Sequence, residues 1–94
     1  MATVDVYRTN DGKAYFEYSF VNVGNYYEVD IVSQPSYNSR DSSLHSTHRL
    51  TSKRGGHKVC FGNESDANSL NKTKKLVEAW AEGTWRYIQT GRSF

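Results

Sequence analysis

A long amphipathic stripe in the last third of the chain is the feature that most constrains the fold. Across residues 70–88, apolar side chains recur at helical spacing and charged side chains fall opposite them. Ser65 or Asp66 is expected to cap the start of the helix, and Gly91 to end it in a left-handed conformation. The stripe predicts one helix over residues 65–91, which must bury its apolar side against another layer.

Three runs of alternating apolar and polar residues precede the helix, at 3–8, 13–21 and 26–33. Alternation with period two is typical of half-buried strands. An Asp-Gly turn separates the first two runs, and Gly24 lies between the second and third. The pattern predicts an antiparallel β-meander over residues 1–33.

The middle of the chain changes character twice. Residues 34–46 are rich in serine and predict a long polar loop, and residues 47–61 predict a β-hairpin with a Gly-Gly tip. Together with the meander and the helix, this predicts one α+β domain over residues 1–94. Its four- to five-stranded, mainly antiparallel sheet would be packed by one long C-terminal helix.

The alternation and the stripe together predict a core. Gly83 lies inside the predicted helix, where its missing side chain would let another segment approach closely. The predicted core residues are Phe16, Phe20, Val29, Ile31, Val59, Phe61, Leu76, Val77, Trp80, Tyr87 and Ile88.

Composition excludes several classes of protein. The net charge of +2 argues against a highly charged nucleic-acid-binding tail, and an aromatic content of 14% argues against disorder. The single cysteine excludes a disulfide within the chain. No apolar run has membrane-spanning length and the N-terminus does not resemble a signal peptide, so a cytoplasmic protein without membrane contact is expected. No glycine-rich phosphate loop is present, and no cofactor is expected.

Positive charge is concentrated in residues 34–62, which carry five basic residues and one acidic residue. This segment is predicted to be the contact surface for a partner. Another protein is favoured because the net charge of the whole chain is small, and nucleic acid is the alternative. The predicted contact residues are Tyr37, Arg40, Arg49, Lys53, Arg54 and Lys58.

The side chains best suited to chemistry also lie in the middle of the chain. His45, His48, His57 and Cys60 form two pairs with spacing that resembles a zinc site. His57 and Cys60, however, lie in a predicted strand, where residues three apart point to opposite faces. The alternative is that the histidines are surface residues and Cys60 is a small buried thiol, and no metal is expected.

The order of elements around these residues resembles that of a known family. The matching features are the alternating strand at 27–31, Pro35 with Tyr37, the Thr47-His48 pair, the segment 59–61 and the aromatic helix ending at Gly91. In this order they resemble the ubiquitin-conjugating (E2-like) fold, in the form of a shortened, degenerate bacterial relative.

The resemblance implies roles for two residues. Cys60 would be the thioester-forming residue, and His48 would be the structural histidine of the family's His-Pro-Asn element. Arg49 and Leu50 follow His48, so the proline and the oxyanion-stabilising asparagine of that element are absent.

Three functions follow from the sequence. The first is a small non-catalytic protein-binding module acting through the basic loop and hairpin, in the manner of small bacterial or phage interaction and inhibitor proteins. The second is a nucleic-acid-binding domain that uses the basic hairpin. The third is an E2-like thioester-forming protein that uses Cys60.

Overall fold

The computed structural model describes residues 3–94 and confirms the α+β class. Five strands form one sheet in the order β1-β2-β3-β5-β4, and every neighbouring pair is antiparallel. The elements are β1 Thr3–Arg8, β2 Tyr15–Asn22, β3 Tyr27–Ser33, α1 Leu44–Thr47, β4 Arg49–Thr51, β5 His57–Val59, a 3₁₀ helix Glu64–Asp66, and α2 Leu70–Thr90. Within the described residues, no helix combines the length and apolarity that a membrane crossing requires.

The strand register separates the sheet into two faces. Tyr7 is paired with Phe16, and Phe20 with Val29, so these side chains share the face that packs against α2. A bulge at Glu17 and Tyr18 shifts the pairing between β2 and β3. Residues 3–94 place no second layer on the opposite face, which is called the open face below.

The core is centred on aromatic side chains of β2 and α2. The rings of Phe16 and Tyr18 are both in edge contact with Trp80, and all three residues are buried. Tyr18 and Tyr37 are buried although the predicted core did not include them. Four predicted core residues are only half-buried because they lie at the margins of the helix–sheet contact; they are Phe20, Ile31, Phe61 and Leu76.

Helix α2 starts later than predicted. Ser69, rather than Ser65 or Asp66, caps it, and its Oγ accepts the main-chain N–H of Lys72 at 3.2 Å. Residues 64–66 form the separate 3₁₀ helix, which Asn63 caps. The predicted cap was therefore wrong, because Asn63 and Ser69 cap two separate helices in this stretch.

The end of α2 is as predicted, and an arginine from the middle of the chain reinforces it. Gly91 adopts φ of 78°, and its N–H donates to the carbonyl of Tyr87 at 2.8 Å. Arg40 donates to the carbonyls of Ile88 and Gln89, which have no partner within the helix.

The segment predicted as a long polar loop packs against α2 and contains the short helix α1. We call residues 34–48 the strap. The indole N–H of Trp80 donates to the carbonyl of Thr47 at 3.1 Å, and the hydroxyl of Tyr87 donates to the carbonyl of Asp41 at 2.8 Å. Tyr37 packs with Tyr87 and Ile88 in a second small core. The strap is therefore part of the packed structure.

Gly83 permits the close approach that the sequence predicted. A Cβ at this position would lie 2.5 Å from Cδ2 and 3.2 Å from Cβ of Phe94, whose ring packs onto the helix there. The glycine is required by this contact, because its backbone is ordinary helix.

We expect Gly83→Ala to destabilise the protein by about 1 kcal/mol, although glycine to alanine inside a helix normally stabilises by a similar amount. The added methyl group must displace the ring of Phe94. In a Phe94→Gly background the same substitution should become stabilising, because only helix propensity then acts. Urea denaturation of the four variants measures this sign change, and an unchanged sign would contradict the contact.

Candidate functional site

Two of the predicted contact residues form an ion-pair cluster on the open face of the sheet. The guanidinium of Arg54 donates to Asp30 Oδ2 at 2.6 Å and to Glu28 Oε1 at 2.7 Å, and Lys58 Nζ donates to Glu28 Oε2 at 2.8 Å. Ser52 Oγ also donates to Asp30, at 2.7 Å. We call these five residues the charge cluster.

The β4–β5 hairpin positions the charge cluster. Asp30 is paired with Lys58, so β3 and β5 present their charged side chains side by side. The hairpin turns back through Gly55 and Gly56, both of which have positive φ, and this brings Arg54 over the carboxylates. The Gly-Gly tip therefore places a cation where the sheet supplies two anions.

The charge cluster shifts the pKa values of Glu28, Asp30 and Arg54. Hydrogen bonds from Lys58 and then Arg54 hold the pKa of Glu28 below its ordinary value. Burial raises the pKa of Asp30, but the hydrogen bonds from Arg54 and Ser52 outweigh it, and the net shift is downward. Hydrogen bonds from the same two carboxylates raise the pKa of Arg54. The cluster is thus ionised and internally neutral near pH 7.

Three more predicted contact residues are engaged on the other face. Arg49 donates to Thr47 Oγ1 at 2.9 Å and to the carbonyl of Ser42 at 2.8 Å, and its guanidinium lies 4.9 Å from the ring centre of Tyr37. Tyr37 is buried, and Arg40 caps α2 as described. These residues hold the strap in place.

Lys53 is the predicted contact residue that stays exposed at the hairpin tip, with no hydrogen bond or ion pair to any of residues 3–94. The structure therefore separates the six predicted residues into a charge cluster, a strap anchor and one exposed cation. The sequence grouped these residues because they lie in one basic segment, and it gave no information on their hydrogen-bond partners.

The histidines and the cysteine are dispersed. Among residues 3–94, no group of three or more His, Cys, Asp or Glu side chains is placed to hold a metal ion. His45 is exposed on α1, and His57 Nδ1 lies 3.4 Å from Arg49 Nη1. His48 and half-buried Cys60 line one hollow beside α2, where the His48 ring contacts the ring and main-chain oxygen of Phe94.

Aliphatic side chains surround the charge cluster on the open face. Leu50 is paired with Lys58 and is 39% exposed, and Val32 is 54% exposed. At the other margin of the sheet, Val4 and Val6 point away from α2 and are 53% and 64% exposed. Sequence reasoning missed these residues, although their phase in the strand alternation was the available signal.

Comparison with protein-family models, with curated proteins and with solved structures found no match to this chain.

We expect Glu28→Gln to lower the free energy of unfolding at pH 7 by about 2 to 3 kcal/mol, because it leaves buried Lys58 facing a neutral amide. Lys53→Met, which removes an exposed cation, should change it little. Urea denaturation at fixed pH measures both effects, and equal losses would contradict the cluster's role.

The pH dependence of stability should follow from the same cluster. A carboxylate whose pKa is lowered by folding contributes its full stabilisation above its ordinary pKa of about 4. That stabilisation is lost as the pH falls through the lower pKa of the folded state. Wild-type stability should therefore fall below about pH 4.5, and Glu28→Gln should fall less steeply. Part of the pH dependence of stability should remain in Glu28→Gln, because the pKa values of Asp30 and Asp41 are also lowered and that of Asp11 is lowered to about 2.

Proposed function

We propose that this chain is a small non-catalytic protein-binding module, and that its contact surface is the hairpin part of the open face. The observation that carries this proposal is the internal neutralisation of Arg54 and Lys58 beside exposed Leu50 and Val32. The exposed aliphatic side chains supply apolar contact area, and the neutralised charges beside them bring no unpaired charge into an interface. This surface therefore suits a protein partner better than a polyanion.

The same pairing disfavours the nucleic-acid alternative. Phosphate binding requires cations that can exchange their counterions for phosphate groups. Arg54 and Lys58 already face Glu28 and Asp30, which leaves Lys53 as the hairpin cation without a partner among residues 3–94. An exposed cation at the tip suits a carboxylate at the rim of an acidic partner protein.

The hairpin surface is held in one conformation before binding. Arg54 and Ser52 fix the tip to β3 through three charge-assisted hydrogen bonds to Asp30, at 2.6, 2.7 and 3.0 Å. A surface ordered in advance loses little conformational entropy on binding. This favours recognition of a folded partner.

The non-catalytic assignment rests on the surroundings of Cys60. An adjacent base is one common activator of a cysteine nucleophile. The ring nitrogen Nε2 of His48 contacts the main-chain oxygen of Phe94, and no hydrogen bond joins that ring to Cys60 in the part of the chain that the structure describes. The E2-like alternative predicts a thioester or covalent adduct on Cys60, whereas the binding module predicts that Cys60→Ser retains full binding.

A photoreactive amino acid at position 50, in the full chain expressed in its native cells, should cross-link to a discrete protein species. The same residue at position 23 is the matched control, because Val23 is also 39% exposed but lies in the β2–β3 turn. Lys53→Glu should reduce the cross-link at position 50 severalfold. Equal cross-linking at the two positions would contradict the proposed surface.

The nucleic-acid alternative is tested by the anisotropy of a labelled 20-base-pair DNA duplex and of a single-stranded RNA. The binding module predicts no saturable binding at 50 mM salt. Binding that weakens about tenfold or more between 50 and 200 mM salt, and that Lys53→Glu further weakens, would instead support phosphate recognition by the hairpin.

A further inference from the structure

The edge strand β1 and helix α2 lie side by side and are joined at two places. Lys74 Nζ lies 3.7 Å from Asp5 Oδ2 near the start of the strand. Further along, Glu82 Oε2 accepts the hydroxyl of Tyr7 at 2.5 Å and the main-chain N–H of Asn10 at 2.8 Å. Burial and the hydrogen bond to Glu82 raise the pKa of Tyr7 to about 12, so this contact holds at neutral pH.

A hollow of about 310 Å³ opens between these two joints. Its apolar walls come from Tyr18 and Phe20 on β2 and from Val77 on α2. Asp5, Lys74 and Glu78 are at its rim. We call this space the β1–α2 groove. It is separate from the hairpin surface, because none of the charge-cluster residues lines it.

A buried hydroxyl without a partner lies beside the groove. Tyr18 is 1% exposed, and its hydroxyl has no hydrogen-bond partner among residues 3–94. Burial first, and then the charges of Tyr7, Glu78 and Glu82, raise its pKa. The Tyr18 side chain is itself one of the walls of the groove. An unpaired buried hydroxyl is costly unless a binding partner supplies an acceptor.

The outer edge of β1 is available for strand pairing. β1 pairs with β2 on one side and with no other strand of the described sheet. It contains no proline, and its alternate side chains Val4 and Val6 are exposed on the open face. A long, regular edge of this kind accepts an added strand, which main-chain hydrogen bonds hold while alternate side chains fill neighbouring pockets.

We propose that β1 accepts an extended segment of a partner protein, one side chain of which enters the β1–α2 groove. That side chain has an apolar stem and a hydrogen-bond acceptor for Tyr18, as glutamine or methionine does. Its neighbours two residues away lie on the same face, about 7 Å from it, and carry positive charge. Of the charged residues at the rim, Lys74 already faces Asp5, whereas Glu78 makes no ion pair within the described residues. A positive charge on the partner segment would pair with Glu78.

The β1 strand of a second copy of this chain fits the groove poorly. The side chains that β1 presents on the groove side are Asp5 and Tyr7. Pairing two β1 strands would therefore bring a further carboxylate, and no cation, to a rim that already holds Asp5 and Glu78. Charge complementarity selects a segment with lysine or arginine in the alternate positions.

The test uses synthetic peptides of sequence Val-Lys-Val-Xaa-Val-Lys-Val, with Gln, Met, Leu or Glu at Xaa, titrated into the full ¹⁵N-labelled chain. Peptides with Gln or Met should shift the amide resonances of β1 and bind more tightly than the Glu peptide. N-methylation of alternate peptide nitrogens on the pairing edge should abolish binding. No binding by any peptide, or shifts confined to other strands, would overturn the proposal.

Two variants of the chain sharpen the test. Glu78→Lys should weaken binding of the Gln peptide by about tenfold. The same variant should bind a Gln peptide in which both lysines are replaced by glutamate. Tyr18→Phe should weaken the Gln peptide by about threefold or more and leave the Leu peptide unchanged. Equal effects on both peptides would overturn the acceptor role.

Thermal unfolding controls the Tyr18→Phe result. Removing a hydroxyl without a partner should leave Tm unchanged or raise it, so a lower Tm would contradict the unpaired state of that group. The outcome of the peptide titrations is independent of the proposed function, because cross-linking at position 50 tests the hairpin surface and not the β1–α2 groove.

Discussion

The one long helix of this structure is narrower than the five-stranded sheet on which it packs. Five strands span about 20 Å across the sheet, whereas a helix with its side chains is about 10 Å wide. The helix therefore leaves part of the core face to other segments. The strap packs against α2, and hydrogen bonds from the side chains of Trp80 and Tyr87 tie this serine-rich segment to the helix.

The same mismatch determines what the basic residues do. Because the strap is polar, arginines rather than aliphatic contacts anchor much of it: Arg40 satisfies the last carbonyls of α2, and Arg49 bonds to Thr47 and Ser42. On the open face, Arg54 and Lys58 neutralise the carboxylates of β3. Most of the positive charge that suggested a partner surface is used to build the domain, and the exposed aliphatic residues are left to define its surface.

Periodic patterns predicted the fold well because each pattern is local. Alternation located β1 to β3, the apolar stripe located α2, and Gly91 and Gly83 were assigned their roles from neighbouring residues alone. The start of α2 was misplaced because Asn63 and Ser69 both cap helices within seven residues.

The candidate site could not be predicted in the same way, because its residues depend on distant partners. Arg54 meets Glu28 across 26 residues, and Arg40 meets Ile88 across 48. No local pattern distinguishes a paired arginine from a free one. The exposure of Leu50 likewise depends on which face of the sheet the helix covers, and the hairpin's own sequence does not determine that.

The long-range ties of α2 have a consequence for the time course of folding. Its hydrogen bonds to Thr47, Asp41 and Tyr7 join residues that are 33, 46 and 75 positions apart, whereas the meander pairs its strands through short turns. Contacts between distant residues cost more loop-closure entropy and are made more slowly. Docking of α2 therefore carries much of the loop-closure cost of folding, and the β1–α2 groove exists only once that docking is complete.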